Sequence, residues 1–119
     1  MPARKPKDMP REALELIAER FKLLSDPTRL ELLQLLRASE RSVGELAEAA
    51  GIGQPSASKH LALLQAAGVV DKRRAGRSVL YRISDPLVFE LCEGVCDSLA
   101  TALDARSVRL RRSGIRRRK

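Results

Sequence analysis

The chain has 119 residues, 44% of them hydrophobic, with no Trp, two Phe and one Tyr. That suffices for one compact domain whose core rests on Leu, Val, Ile and Ala, and so small an aromatic payload favours a helical chain stabilised by oligomerisation. The net charge of +8 lies at one end, because eight basic residues and no acid follow Asp104, while 15 basic residues balance 15 acids before it. No apolar run approaches a bilayer span and no secretory apolar stretch follows Met1 to Lys7, so the expectation is a soluble, cytoplasmic protein with no membrane partner.

Residues 1–8 are charged and carry prolines, and are expected to form a flexible arm. Pro10 stands at a first-turn position, and Leu14, Ile17, Phe21 and Leu24 then recur at helical spacing. Asp26-Pro27 is a second helix start, a side-chain acceptor followed by a proline that needs no amide partner. Leu30, Leu32, Leu33, Leu35 and Leu36 make this helix apolar on more than one face, as a central buried helix should be. Ser42-Val43-Gly44-Glu45 has the form of a capping box and opens a short helix to Ala50. Gly51 breaks it, Gln54-Pro55 opens the next helix, and Gly68 closes that one. Two short helices around a tight turn are a helix-turn-helix.

Beyond Gly68 the period changes. Val69-Val70 and Val79 to Ile83 predict two short strands around a cationic turn, Arg73 to Arg77, in the manner of a β-hairpin wing. Asp85-Pro86 starts a last helix to about Leu103. The expected fold is therefore mainly α with a small hairpin, a winged helix-turn-helix in the order α-α-α-α-β-β-α. The folded domain should span residues 9–104, with residues 105–119 a basic, disordered tail.

Gln54 to Ile83 carries six basic residues against one acid, and Ser84 to Asp104 carries five acids and no base. A basic stretch on a helix-turn-helix is the electrostatic footprint of nucleic-acid binding. The second helix of that motif enters the major groove with its N-terminal residues at the base edges, which designates Gln54, Ser56, Ala57, Ser58, Lys59 and His60. Gln54 can offer a paired donor and acceptor suited to adenine, the serines suit bases or phosphates, and Lys59 suits phosphate. A lone His60 is suited to packing or a phosphate contact rather than to a metal. Arg73, Arg74 and Arg77 fit a narrow minor groove or flanking phosphates. A non-specific nucleic-acid binder remains the rival class. An enzyme is not expected, since one His, no nucleophile–base motif and no phosphate-cradling glycine loop leave little to build from.

Ser25-Asp26-Pro27-Thr28-Arg29-Leu30, Glu45-Leu46-Ala47, Gln54-Pro55-Ser56-Ala57-Ser58-Lys59-His60-Leu61 and Ala67-Gly68-Val69-Val70 resemble the ArsR/SmtB family of bacterial metal-sensing repressors. Gly76-Arg77 with Val79 to Arg82 resembles that family's wing. The resemblance implies a homodimer built on the first and last helices, bound to an inverted-repeat operator in double-stranded DNA and released by an inducer. Two sensing sites of the family are missing. Ser42 and Gly44 stand where one has a Cys-x-Cys pair; Asp85 is retained from the other, but Leu87, Ser98 and Thr101 replace its remaining ligands.

Cys92 and Cys96 remain, four apart and hence on one helix face. Thiolates select soft ions, so the pair is a candidate site for arsenite, cadmium, lead, zinc or copper(I), none of them required for DNA binding. Nearby acids should raise the thiol pKa, which ranks metal sensing above redox or reactive-sulfur sensing. Both cysteines could equally pack at a dimer interface with no inducer.

Overall fold

The structure, a computed structural model, describes residues 8–103. The expected arm, apart from its last residue, and the expected tail lie outside the described residues. The elements are α1 (Arg11–Leu23), α2 (Pro27–Ala38), α3 (Val43–Ala50), α4 (Gln54–Ala66), β1 (Val70–Ala75), β2 (Ser78–Ile83) and α5 (Leu87–Leu103). This is the order read from the sequence.

The helix boundaries follow from local chemistry. Pro10 occupies the N-cap of α1, one position earlier than expected, and its carbonyl accepts from the Leu14 amide. Asp26 caps α2, its Oδ1 accepting from the amides of Thr28 at 2.8 Å and Arg29 at 3.3 Å, with Pro27 next in line. Ser42 and Glu45 form both halves of the capping box on α3, the Glu45 amide donating to Ser42 Oγ and the Ser42 amide to Glu45 Oε1. Gly51 closes α3 at φ 71°, a left-handed conformation that only glycine adopts without strain. The Ile52 amide then returns to Ala47 O, and the chain turns into α4 within three residues.

The core is built at the meeting of α2, α3, α4 and the hairpin. Leu32, Leu33, Leu46, Leu61, Leu64, Val69 and Val70 are all essentially inaccessible, each worth roughly 1.5–3 kcal/mol relative to exposure. The first helix behaves differently. No residue of α1 is buried, and Leu14, Leu16, Ile17 and Phe21 are exposed in the single chain.

The hairpin departs from expectation. Its strands run six residues each, pairing antiparallel from Val70 opposite Ile83 to Ala75 opposite Ser78. Arg73 and Arg74 therefore lie on β1, and the turn is Gly76-Arg77 alone rather than Arg73 to Arg77. Continuous backbone pairing outweighs the weak strand preference of arginine, and Gly76 at φ 64° supplies the positive φ that a two-residue hairpin turn needs at its first position. On its other edge β2 meets Arg41, whose amide donates to Tyr81 O at 3.2 Å and whose carbonyl accepts from the Tyr81 amide at 2.7 Å.

The chain divides into two compact units between Ser84 and Asp85. In the second, Asp85 Oδ1 accepts from the Leu87 amide at 3.2 Å and starts α5. Val88, Phe89 and Cys96 of this helix are buried, and Leu87, Val95 and Leu99 are exposed.

Candidate nucleic-acid interface

The sequence-designated residues of α4 fall on different faces of that helix. Gln54, Ser56, Ser58 and Lys59 are exposed. Ala57 is fully buried in the row Ala57, Leu61, Leu64, so its side chain belongs to the core and offers nothing at a base edge. That row was legible in the sequence as an i, i+4, i+7 repeat. Gln54 lies beside the start of α3, since a Cβ placed on Gly44 would stand 3.7 Å from Gln54 Oε1. The first turns of α3 and α4 are thus neighbours.

His60 sits on the shoulder of α4, half-buried, and its Nδ1 accepts from Arg29 Nε at 3.1 Å. Arg29 also donates through Nη1 to Leu23 O at 2.7 Å, at the end of α1. Arg20 of α1 donates through Nη2 to Ala67 O at 2.9 Å, at the far end of α4. Two guanidinium groups therefore tie α4 to α1. Neither link has a local sequence signal: the partners are 31 and 47 residues apart. Burial alone would raise the Asp26 carboxyl, but the Thr28 and Arg29 amides hold it below the ordinary carboxylate range, with help from the neighbouring Arg29 guanidinium.

Strand alternation sorts the wing cations. Arg73 shares a face with Asp71 and its cross-strand partner Arg82, and its Nε donates to Glu40 Oε1 at 2.8 Å, 33 residues away. Arg82 lies 3.6 Å from Asp71. On that face two cations meet two acids. Lys72 and Arg74 occupy the opposite face, with Lys72 Nζ 6.0 Å from the Tyr81 ring centroid. Arg77 is exposed at the turn. Arg74 and Arg77 are exposed, whereas Arg73 already has an acidic partner.

Cys92 is half-buried and Cys96 buried, both on α5 and neither in a disulfide. Among the described residues no group of three or more His, Cys, Asp or Glu side chains is placed to hold a metal. No helix among the described residues is long and apolar enough to cross a membrane.

A helix-turn-helix with its second helix exposed at the N-terminal turns, followed by a cation-bearing hairpin, defines a winged helix-turn-helix DNA-binding domain. A family described as a helix-turn-helix domain matches residues 24–73. The transcriptional repressor SmtB of Mycobacterium tuberculosis is 42% identical over 97 residues, which cover 82% of this chain and 70% of that protein. A probable mercury resistance operon repressor of Streptomyces lividans is 46% identical over 71 residues, 60% of this chain and 57% of its own length. Among solved structures, the homodimeric winged helix-turn-helix domain of a possible ArsR-family regulator from Mycobacterium bovis superposes with a TM-score of 0.68. It is 31% identical, and the match covers 85% of this chain and 95% of that one. The chain belongs to the ArsR/SmtB family of DNA-binding transcriptional repressors.

Proposed function

We propose that the chain acts as a homodimer on an inverted-repeat operator and is released when a thiophilic metal or metalloid ion engages Cys92 and Cys96. Gln54, Ser56, Ser58 and Lys59 read the major groove in this scheme. His60 and the wing cations, Arg74 and Arg77 foremost, contact the backbone or the minor groove. Ala57 contributes by its small volume in the core.

The observation that carries the inducer reading is the thiol pair itself: two cysteines outside any disulfide, one helical turn apart on α5 and apart from the DNA-binding elements. The exposed apolar residues of α1 (Leu14, Ile17, Phe21) and α5 (Leu87, Val95, Leu99) support the dimer. A two-fold axis near α5 would bring four thiols together, a set suited to arsenite, cadmium, lead, zinc or copper(I). Regulation by a soft ion also suits a chain with a probable mercury resistance operon repressor among its relatives.

Titration of the reduced protein with arsenite and with cadmium tests this, read by ultraviolet thiolate–metal absorption and by release of duplex DNA carrying its promoter. The expected result is an absorption change and DNA release, both lost in Cys92→Ser and Cys96→Ser. Release by a polysulfide, with no response to either ion, would assign the two thiols to sulfur chemistry and overturn the metal reading.

A further inference from the structure

Arginine is a donor only, so the atom that accepts from Arg29 Nε must carry a lone pair. That atom is His60 Nδ1. An imidazole that accepts at Nδ1 is neutral and carries its one ring proton on Nε2. We propose that Arg29 is a positioning residue that locks His60 in this form, presenting Nε2–H as an uncharged hydrogen-bond donor to a DNA phosphate. The inference rests on the DNA-binding reading and specifies the chemistry of one of its contacts.

The geometry makes Arg29 suited to this work. Its backbone amide is held by the Asp26 carboxylate, its Nη1 by Leu23 O, and its Nε by the ring of His60. The Asp26 cap fixes the Arg29 backbone, and two contacts on two other segments leave the guanidinium little freedom. Its planar fork reaches Leu23 O and His60 together, which a lysine point charge cannot do. His60 therefore inherits its orientation from the junction of α1 and α2 rather than from α4 alone. Protonation of the ring would place a cation against Arg29 and break this arrangement.

A neutral donor leaves a distinctive mark on binding. It adds affinity without releasing a counterion, whereas an imidazolium at a phosphate would steepen the salt dependence by about 0.9 log unit. Asparagine places an acceptor close to the position of Nδ1 but has nothing at Nε2. Glutamine reaches the Nε2 position but abandons the contact to Arg29. The two substitutions separate anchoring from donation.

His60 is the only histidine in the chain, so a long-range nitrogen–proton correlation spectrum of the labelled full-length protein reports it alone. At neutral pH the expected spectrum has a protonated Nε2 and an unprotonated Nδ1. Arg29→Gln should let the other tautomer appear. With a random-sequence duplex of about 30 base pairs as probe, His60→Asn should weaken binding by roughly three- to tenfold with an unchanged salt slope. His60→Gln should also weaken it, and Arg29→Lys should not restore the wild-type spectrum. An imidazolium in the free protein, a tautomer ratio indifferent to Arg29→Gln, or a salt slope reduced by His60→Asn would each overturn the proposal. Failure of the wild type to bind any duplex would overturn the DNA-binding reading itself, a result separable from the other three.

Discussion

Ala57 illustrates how one side chain changes meaning once its neighbours are known. Small residues at the start of a recognition helix allow close approach to DNA, yet Ala57 has no accessible surface. The substitution Ala57→Leu should cost about 1–3 kcal/mol by overpacking, read as a lower urea midpoint, whereas an exposed residue would tolerate it. Caps were legible because their chemistry is local. Ser42→Ala removes the acceptor for the Glu45 amide and should lower stability by about 1 kcal/mol, measured by thermal melting. Asp26 is a cap whose charge can be tested separately. Its carboxyl titrates lower in the folded chain than in the unfolded one, so its contribution is complete above the unfolded value, near pH 4, and drains away as pH falls through the folded value. Asn caps a helix about as well, so Asp26→Asn should leave the caps intact while flattening the loss of stability between neutral pH and about pH 3. Comparison of urea midpoints across that range checks it.

At the scale of elements, helices were read more faithfully than strands, and the reason lies in the wing. A helix announces itself by side-chain period and by caps within four residues. A strand in a cation-rich stretch is set by the partner strand, and pairing carries β1 through Arg73 and Arg74 to Ala75. This relocation separates arginines that look equivalent in sequence. Arg77→Ala should reduce the salt slope of DNA binding by about 0.9 log unit if it neutralises one phosphate. Arg73→Ala should change the slope less, because Glu40 already balances that charge. Both ends of the Glu40–Arg73 pair are partly exposed, so its loss should move the melting temperature little. The measurement is binding to one duplex over a series of salt concentrations for each variant. The links from Arg29 to His60 and from Arg20 to Ala67 could not be read at all, since nothing local to either partner marks them.

At the scale of the molecule, the hydrophobic period of α1 was legible but its destination was not. A stripe that faces a core and a stripe that faces another subunit have the same spacing. Leu14, Ile17 and Phe21 remain exposed in one chain, and a dimer in which they are buried should fail when one is charged. Phe21→Glu is expected to shift the sedimentation coefficient to that of a monomer and to weaken operator binding far more than it changes helix content. The inward-facing residues of α2 to α4 were readable because Leu32, Leu33, Leu46, Leu61 and Leu64 satisfy both period and core within one chain. The pairing of Arg41 with Tyr81 has a consequence for how the domain folds and opens. A two-stranded hairpin alone is barely stable in water, and here its inner strand is completed by a residue just ahead of α3. The Tyr81 amide should therefore exchange with solvent only when the helix-turn-helix unit opens, while the amides near Gly76 exchange by local fraying. The wing then borrows its persistence from the helices, and an insertion between Ser39 and Arg41 would release it without unfolding them.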